Sequence, residues 1–165
     1  MDKMAIAGSM AYCVTALATA FTGWIADRTI AAGSTPTRVR KTCIVTGLTF
    51  ASVVLVVVII PEPTPSMAFL MLACICYGVF ASSHWAISQT IAGPSAAGKW
   101  AGLQNCFANM AGVAAPAITG FVVDKTGHFF WAFAVSAGVS LIGASVYAFL
   151  LGPAEPLKWH MKFQS

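Results

Sequence analysis

The chain has 165 residues, of which 58% are hydrophobic and 8% charged, against roughly 45–50% and 25% in a soluble domain. That composition excludes a water-soluble globule, and at about 20 residues per crossing the length holds at most about six helical spans and no large aqueous domain. The formal charge of +4 lies in short gaps between apolar runs and on no polar face, so nucleic acid is excluded as a partner and the lipid bilayer is the expected solvent.

The first run, residues 4–26, is uncharged and ends abruptly at Asp27-Arg28. The stretch from Thr29 to Lys41 carries Gly33, Pro36, Arg38 and Arg40 and reads as a loop. The second run, 42–60, closes on Pro61-Glu62-Pro63-Thr64-Pro65, where prolines remove backbone donors and predict a rigid turn. Its stretch from Ser52 to Ile60 is almost free of polarity and reads as a lipid-facing, peripheral span. A third run covers 66–91, and the segment Ala92 to Lys99 separates it from a fourth, 100–123. Asp124-Lys125-Thr126-Gly127 turns the chain into a fifth run, 128–151, which stops at Gly152-Pro153 before a polar tail. The expected fold class is an all-α membrane protein with five transmembrane helices, multi-pass in the cell membrane.

Five spans put the two ends of the chain on opposite sides, and basic residues near span ends favour the cytoplasm. Arg28, Arg38, Arg40, Lys41, Lys99, Lys158 and Lys162 fall on one side, Lys3 and Lys125 on the other. That places the N-terminus outside, and the first helix then needs an odd number of spans before it if the protein begins in the cytoplasm. No basic n-region or cleavage site marks a signal peptide. The expectation is a C-terminal piece of a longer protein, with an N-terminal half as its missing partner.

Cys13, Cys43, Cys74, Cys76 and Cys106 all lie within these spans, where thiols act as small apolar groups. Two residues apart on a helix, Cys74 and Cys76 diverge by about 200° and cannot share a metal. Neither a metal nor a cofactor is expected.

Polar groups inside a span face a bundle interior or a wet cavity, because hydrocarbon offers them no partner. Gly8, Tyr12, Thr15, Thr19 and Thr22 follow helical spacing in the first span, as do Asn105, Asn109, Gly112, Pro116 and Gly120 in the fourth. Small residues and threonines on such a face serve close helix packing. The asparagines offer more hydrogen-bonding capacity than packing requires and are candidates to face a substrate. In the third span Gly78, Ser82, Trp85 and Gln89 share one face and Tyr77, Ala81, His84 and Ser88 another, so this helix is expected to touch two neighbours. Trp85 either fills core volume or stacks on a ligand. His84, the one ionisable residue deep in a span, is either a site residue or a hydrogen-bonded histidine at a helix contact.

Gly23-Trp24-Ile25-Ala26-Asp27-Arg28 resembles the G-x-x-x-D-R signature that major facilitator transporters repeat after their second and eighth helices. Here the next basic residue comes only at Arg38. The loop from Ser34 to Lys41, together with Gly102-Leu103-Gln104-Asn105, Asn109, Ala111-Gly112, Pro116, Thr119-Gly120 and Thr126-Gly127, is similar to the anion:cation symporter branch, the bacterial organic-anion permeases. The resemblance implies helices eight to twelve of a twelve-helix fold, two six-helix halves around a cavity that opens alternately to either side. It implies a bacterial inner-membrane symporter of a small organic anion, a carboxylate or sugar acid, with a proton as coupling ion. It also implies a gating motif of Gly23, Asp27 and Arg28, with Asp27 set against a helix of the absent half. Ser82, Trp85 and Asn105 are the implied substrate-binding residues; Asn109, one turn from Asn105, and His84, which stands where the family often has a small hydroxyl residue, complete the candidate set. The alternative is a non-transporting membrane scaffold or degenerate transporter remnant. An intramembrane hydrolase has only Ser82, Ser83 and His84 in its favour, and adjacent helical residues point about 100° apart.

Overall fold

A computed structural model describes the backbone of residues 2–157 and side chains from Ala5 onward; Lys158 and Lys162, counted above for orientation, lie outside the described residues, as does the side chain of Lys3. The helices are α1 (Asp2–Ala31), α2 (Pro36–Ala51), α3 (Pro63–Ala92), α4 (Ala97–Thr126) and α5 (Phe129–Phe149), and α2 continues as a 3-10 segment over Ser52–Val58. All five are long and apolar enough to cross a membrane, α2 together with its 3-10 continuation.

The helix ends follow local chemistry. Pro36 and Pro63 open α2 and α3, since a missing N–H costs nothing in a first turn. The proline run therefore starts the third helix, whereas the sequence reading took all of it as turn. Likewise α2 begins six residues before its apolar run, so Arg38, Arg40 and Lys41 sit on its first turns and not in a loop. Gly93 (φ 71°) and Gly127 (φ 70°) end α3 and α4 with positive φ, which only glycine adopts without strain. Seven of the nine residues 52–60 are β-branched valine or isoleucine; their χ1 restriction disfavours a regular α-helix, and the chain here winds more tightly.

Within the bundle α2 is central. It packs against α3 on one side and α5 on the other, while α1 packs mainly on α3 and touches α2, and α4 lies outermost against α5 and α3. Ile44 and Leu48 of α2, Ile87 of α3 and Ala144 of α5 form the buried core, flanked by Phe80, Ile91, Tyr147, Leu151 and Ala154. This corrects the reading of the second span as peripheral: Ile44 is fully buried, and the apolar stretch Ser52–Val58 is half-buried against α3 and α5. Apolar composition alone cannot separate a lipid-facing helix from a central one, because lipid and helix neighbours are equally apolar.

Two glycines permit the closest helix approaches. A Cβ at Gly47 would meet the Phe80 amide nitrogen at 2.6 Å and the Cys76 carbonyl at 2.8 Å; one at Gly78 would meet Ala18 Cβ at 2.7 Å and the Thr15 carbonyl at 2.8 Å. At the α1–α3 crossing the hydroxyls of Thr15 and Thr19 donate to the carbonyls of Cys74 (3.4 Å) and Gly78 (3.3 Å). These threonines serve packing.

Beyond α5, residues Leu151 to Leu157 cross one end of the bundle. Lys41 Nζ donates to the Leu151 carbonyl (2.9 Å), the Ala154 amide to Thr37 Oγ1 (3.0 Å), and the Leu157 amide to the Ile91 carbonyl (2.9 Å). The basic start of α2, the end of α3 and this segment therefore share one end.

Candidate functional site

Gly23, Asp27 and Arg28, the residues expected to form a gating motif, lie on the last turns of α1. Gly23 faces Ser82 of α3, whose Oγ would be 3.2 Å from an added Cβ. Asp27 Oδ1 pairs with Arg40 Nη2 at 3.1 Å, with the carboxylate side 69% exposed. Arg28 lies over the Trp24 ring, 4.4 Å from its centroid. Asp27 thus has a partner inside this chain, apart from the helix of an N-terminal half that the family resemblance implies for it. The spacing fits the short turn: residues 32–35 reverse the chain, and α2 must run past its first turn before it can return Arg40 to Asp27.

On α3 the polar residues diverge. Ser82 is half-buried against α1. Ser83 is fully buried and its Oγ has no hydrogen-bond partner. His84 points to the other side, where Nδ1 lies 2.6 Å from Tyr147 Oη of α5. Neither serine is hydrogen-bonded to His84, so the constellation lacks the nucleophile–base contact that a hydrolase needs. Trp85 follows on the open face at 37% exposure, and Gln89 is exposed one turn further on. The expected face of Gly78, Ser82, Trp85 and Gln89 is therefore split, its first two members touching α1 and its last two open.

A polar clasp joins α3 to α4. Trp100 Nε1 donates to Ser88 Oγ (2.8 Å), and Ser88 donates in turn to Gln104 Oε1. Ser88 is buried at 7% exposure, so the bonds satisfy a hydroxyl that would be costly to leave bare. The clasp also sets the register of two antiparallel helices. At 1.5 Å rise per residue, Trp85 lies about 4.5 Å beyond Ser88, and Asn105 and Asn109 lie about 1.5 and 7.5 Å beyond Gln104 in the same direction. Trp85 sits between the asparagines in depth.

Asn105 and Asn109 are exposed on α4, which has no buried residue among those described. Asn109 Nδ2 donates to the Asn105 carbonyl (2.7 Å), and among the described residues no hydrogen bond ties either side chain to α3. Gly112 and Gly120 on the same helix have open space around them. Sequence reasoning missed Tyr147 and the clasp; Ser88 and Gln104 were visible as polar residues in spans, but their pairing depends on helix register.

A sequence model of the Major Facilitator Superfamily matches residues 2–163. The chain is 30% identical over 132 residues to the probable L-galactonate transporter of Escherichia coli strain K12, covering 78% of this chain and 29% of that protein. It is 29% identical over 133 residues to the D-galactonate transporter of Escherichia coli O6:H1, covering 81% and 30%. Against the hexuronate transporter of Bacillus subtilis strain 168 the identity is 36% over 61 residues, covering 37% and 14%. The chain spans at most about a third of the length of these relatives.

Proposed function

The chain belongs to the major facilitator superfamily, a multi-pass membrane family, and from that premise we propose that it forms part of a secondary transporter of a sugar acid. The observation that carries this reading is that Trp85, Asn105 and Asn109 are all exposed, with Trp85 between the two asparagines in depth, together with the galactonate and hexuronate names of its relatives. Binding, not bond-making, is the chemistry. A hydroxylated carboxylate offers oxygens to asparagine amides, which donate and accept, and its C–H edges to an indole face.

In this reading the five helices pair with an N-terminal half, and the two rock about a midplane site to open it alternately to either side. A proton gradient drives uptake, and the membrane is the bacterial inner membrane. Among the described residues no Lys or Arg lies mid-span, so the positive charge that holds the carboxylate comes from the other half. Ser82, wedged against Gly23, contributes through the α1–α3 contact. Asp27, Arg28 and Arg40 act at the cytoplasmic end, where the ion pair ties α1 to α2 as the halves move.

Isothermal titration of the purified intact protein with D-galactonate tests the substrate class. Saturable binding that galacturonate competes is expected. Failure of both compounds to bind a folded protein overturns it.

A further inference from the structure

We propose that Tyr147 is a positioning residue which, through His84, holds the Trp85 indole in place on the open face of α3; this rests on the reading of Trp85 as substrate-facing. Tyr147 is half-buried and packs against the buried cluster of Ile44, Leu48, Ile87 and Ala144, which restrains its ring. From there its hydroxyl reaches His84 Nδ1 at 2.6 Å. The backbones of α3 and α5 do not approach each other directly, since α2 lies between them, and this side-chain bond bridges the gap.

The bond alone would leave the imidazole free to swing about its edge. Ring contacts remove that freedom. Phe80 stacks on the His84 face at 5.1 Å and 28°, while Tyr147 meets its edge at 6.1 Å and 81°. The remaining side of the imidazole abuts Trp85, with centroids 5.7 Å apart and planes at 65°. Held by Phe80 and Tyr147, His84 becomes a fixed wall for an otherwise exposed indole. A wall of this kind narrows the rotamers open to Trp85, so less side-chain freedom is lost when a ligand stacks on it. His84 is accordingly a support within the aromatic cluster, and the substrate touches Trp85.

Tyr147→Phe keeps the ring and its packing and removes only the hydroxyl. The readout is the fluorine NMR spectrum of the intact protein labelled with 5-fluorotryptophan, with Trp85 and Trp131 signals assigned by Trp85→Phe and Trp131→Phe. The expected result is a shifted and broadened Trp85 signal in both Tyr147→Phe and His84→Ala, with the Trp131 signal unmoved. Affinity for D-galactonate should fall by roughly 2- to 12-fold in Tyr147→Phe, the effect of one neutral hydrogen bond. An unmoved Trp85 signal in both variants overturns the proposal, and so does simultaneous collapse of both signals, which would make the bond merely structural. If wild-type protein binds no D-galactonate, the functional reading fails separately and the fluorine spectrum alone decides the positioning role.

Discussion

In the proposed site, removing the single amide of Asn105 would leave a ligand oxygen without its donor, which costs on the order of 1 to 3 kcal/mol when the site is closed, or roughly 5- to 150-fold in affinity. Asn105→Ala is therefore expected to weaken D-galactonate binding by that factor with near-normal expression, because Asn105 is exposed on α4 and supports no neighbour. Trp85→Ala should also weaken binding through lost stacking. Phe50→Leu, at a 65% exposed position on α2, should leave affinity unchanged; titration of the three purified variants checks all of this. Gly47 makes the opposite case. An added methyl there would meet backbone of α3 at 2.6 and 2.8 Å, so Gly47→Ala should lower stability by about 1–3 kcal/mol through overpacking. Gly112→Ala, with open space around it, should not. Thermal unfolding in detergent distinguishes them.

At the scale of the helices, the ion pair of Asp27 with Arg40 carries little energy, since its carboxylate is largely exposed and such pairs contribute about 0–1 kcal/mol. Arg40→Ala should shift the unfolding midpoint only slightly. Orientation follows from charge: the turn at Ser34, on the same side as Arg28 and Arg38, should face the cytoplasm and Thr64 the exterior. Impermeant maleimide applied to intact cells, with native cysteines replaced, should label Thr64→Cys and spare Ser34→Cys. The reverse pattern would invert the bundle. The five helices were legible in the sequence because each apolar run is long enough to span and is bounded by Gly, Pro or charge. Their ends were less so, as at Pro63, where the residues that break a helix interior are those that open its first turn. The central position of α2 was illegible, because burial by a neighbouring helix and burial by lipid select the same side chains.

For the whole molecule, the divided polarity of the spans matters most. Thr15 and Thr19 close on α3, and Ser88 is satisfied by Trp100 and Gln104, yet Asn105 and Asn109 remain exposed in the middle of a membrane-length helix. The asparagines were legible as polar residues at i, i+4 in an apolar run. Their depth relative to Trp85 was not, because it depends on a register that only the clasp fixes. In lipid such exposed amides are costly, so on the proposed reading the chain by itself should be unstable in membranes and inert in transport, and should accumulate better when co-expressed with a complementary N-terminal half. Uptake of radiolabelled D-galactonate by energised membrane vesicles tests the transporter reading most directly, comparing this chain alone, the N-terminal half alone, and both together. Uptake above empty-vesicle background only when the halves are combined is the expected result. Uptake by this chain alone, or none from an assembled pair with any sugar acid, would contradict it.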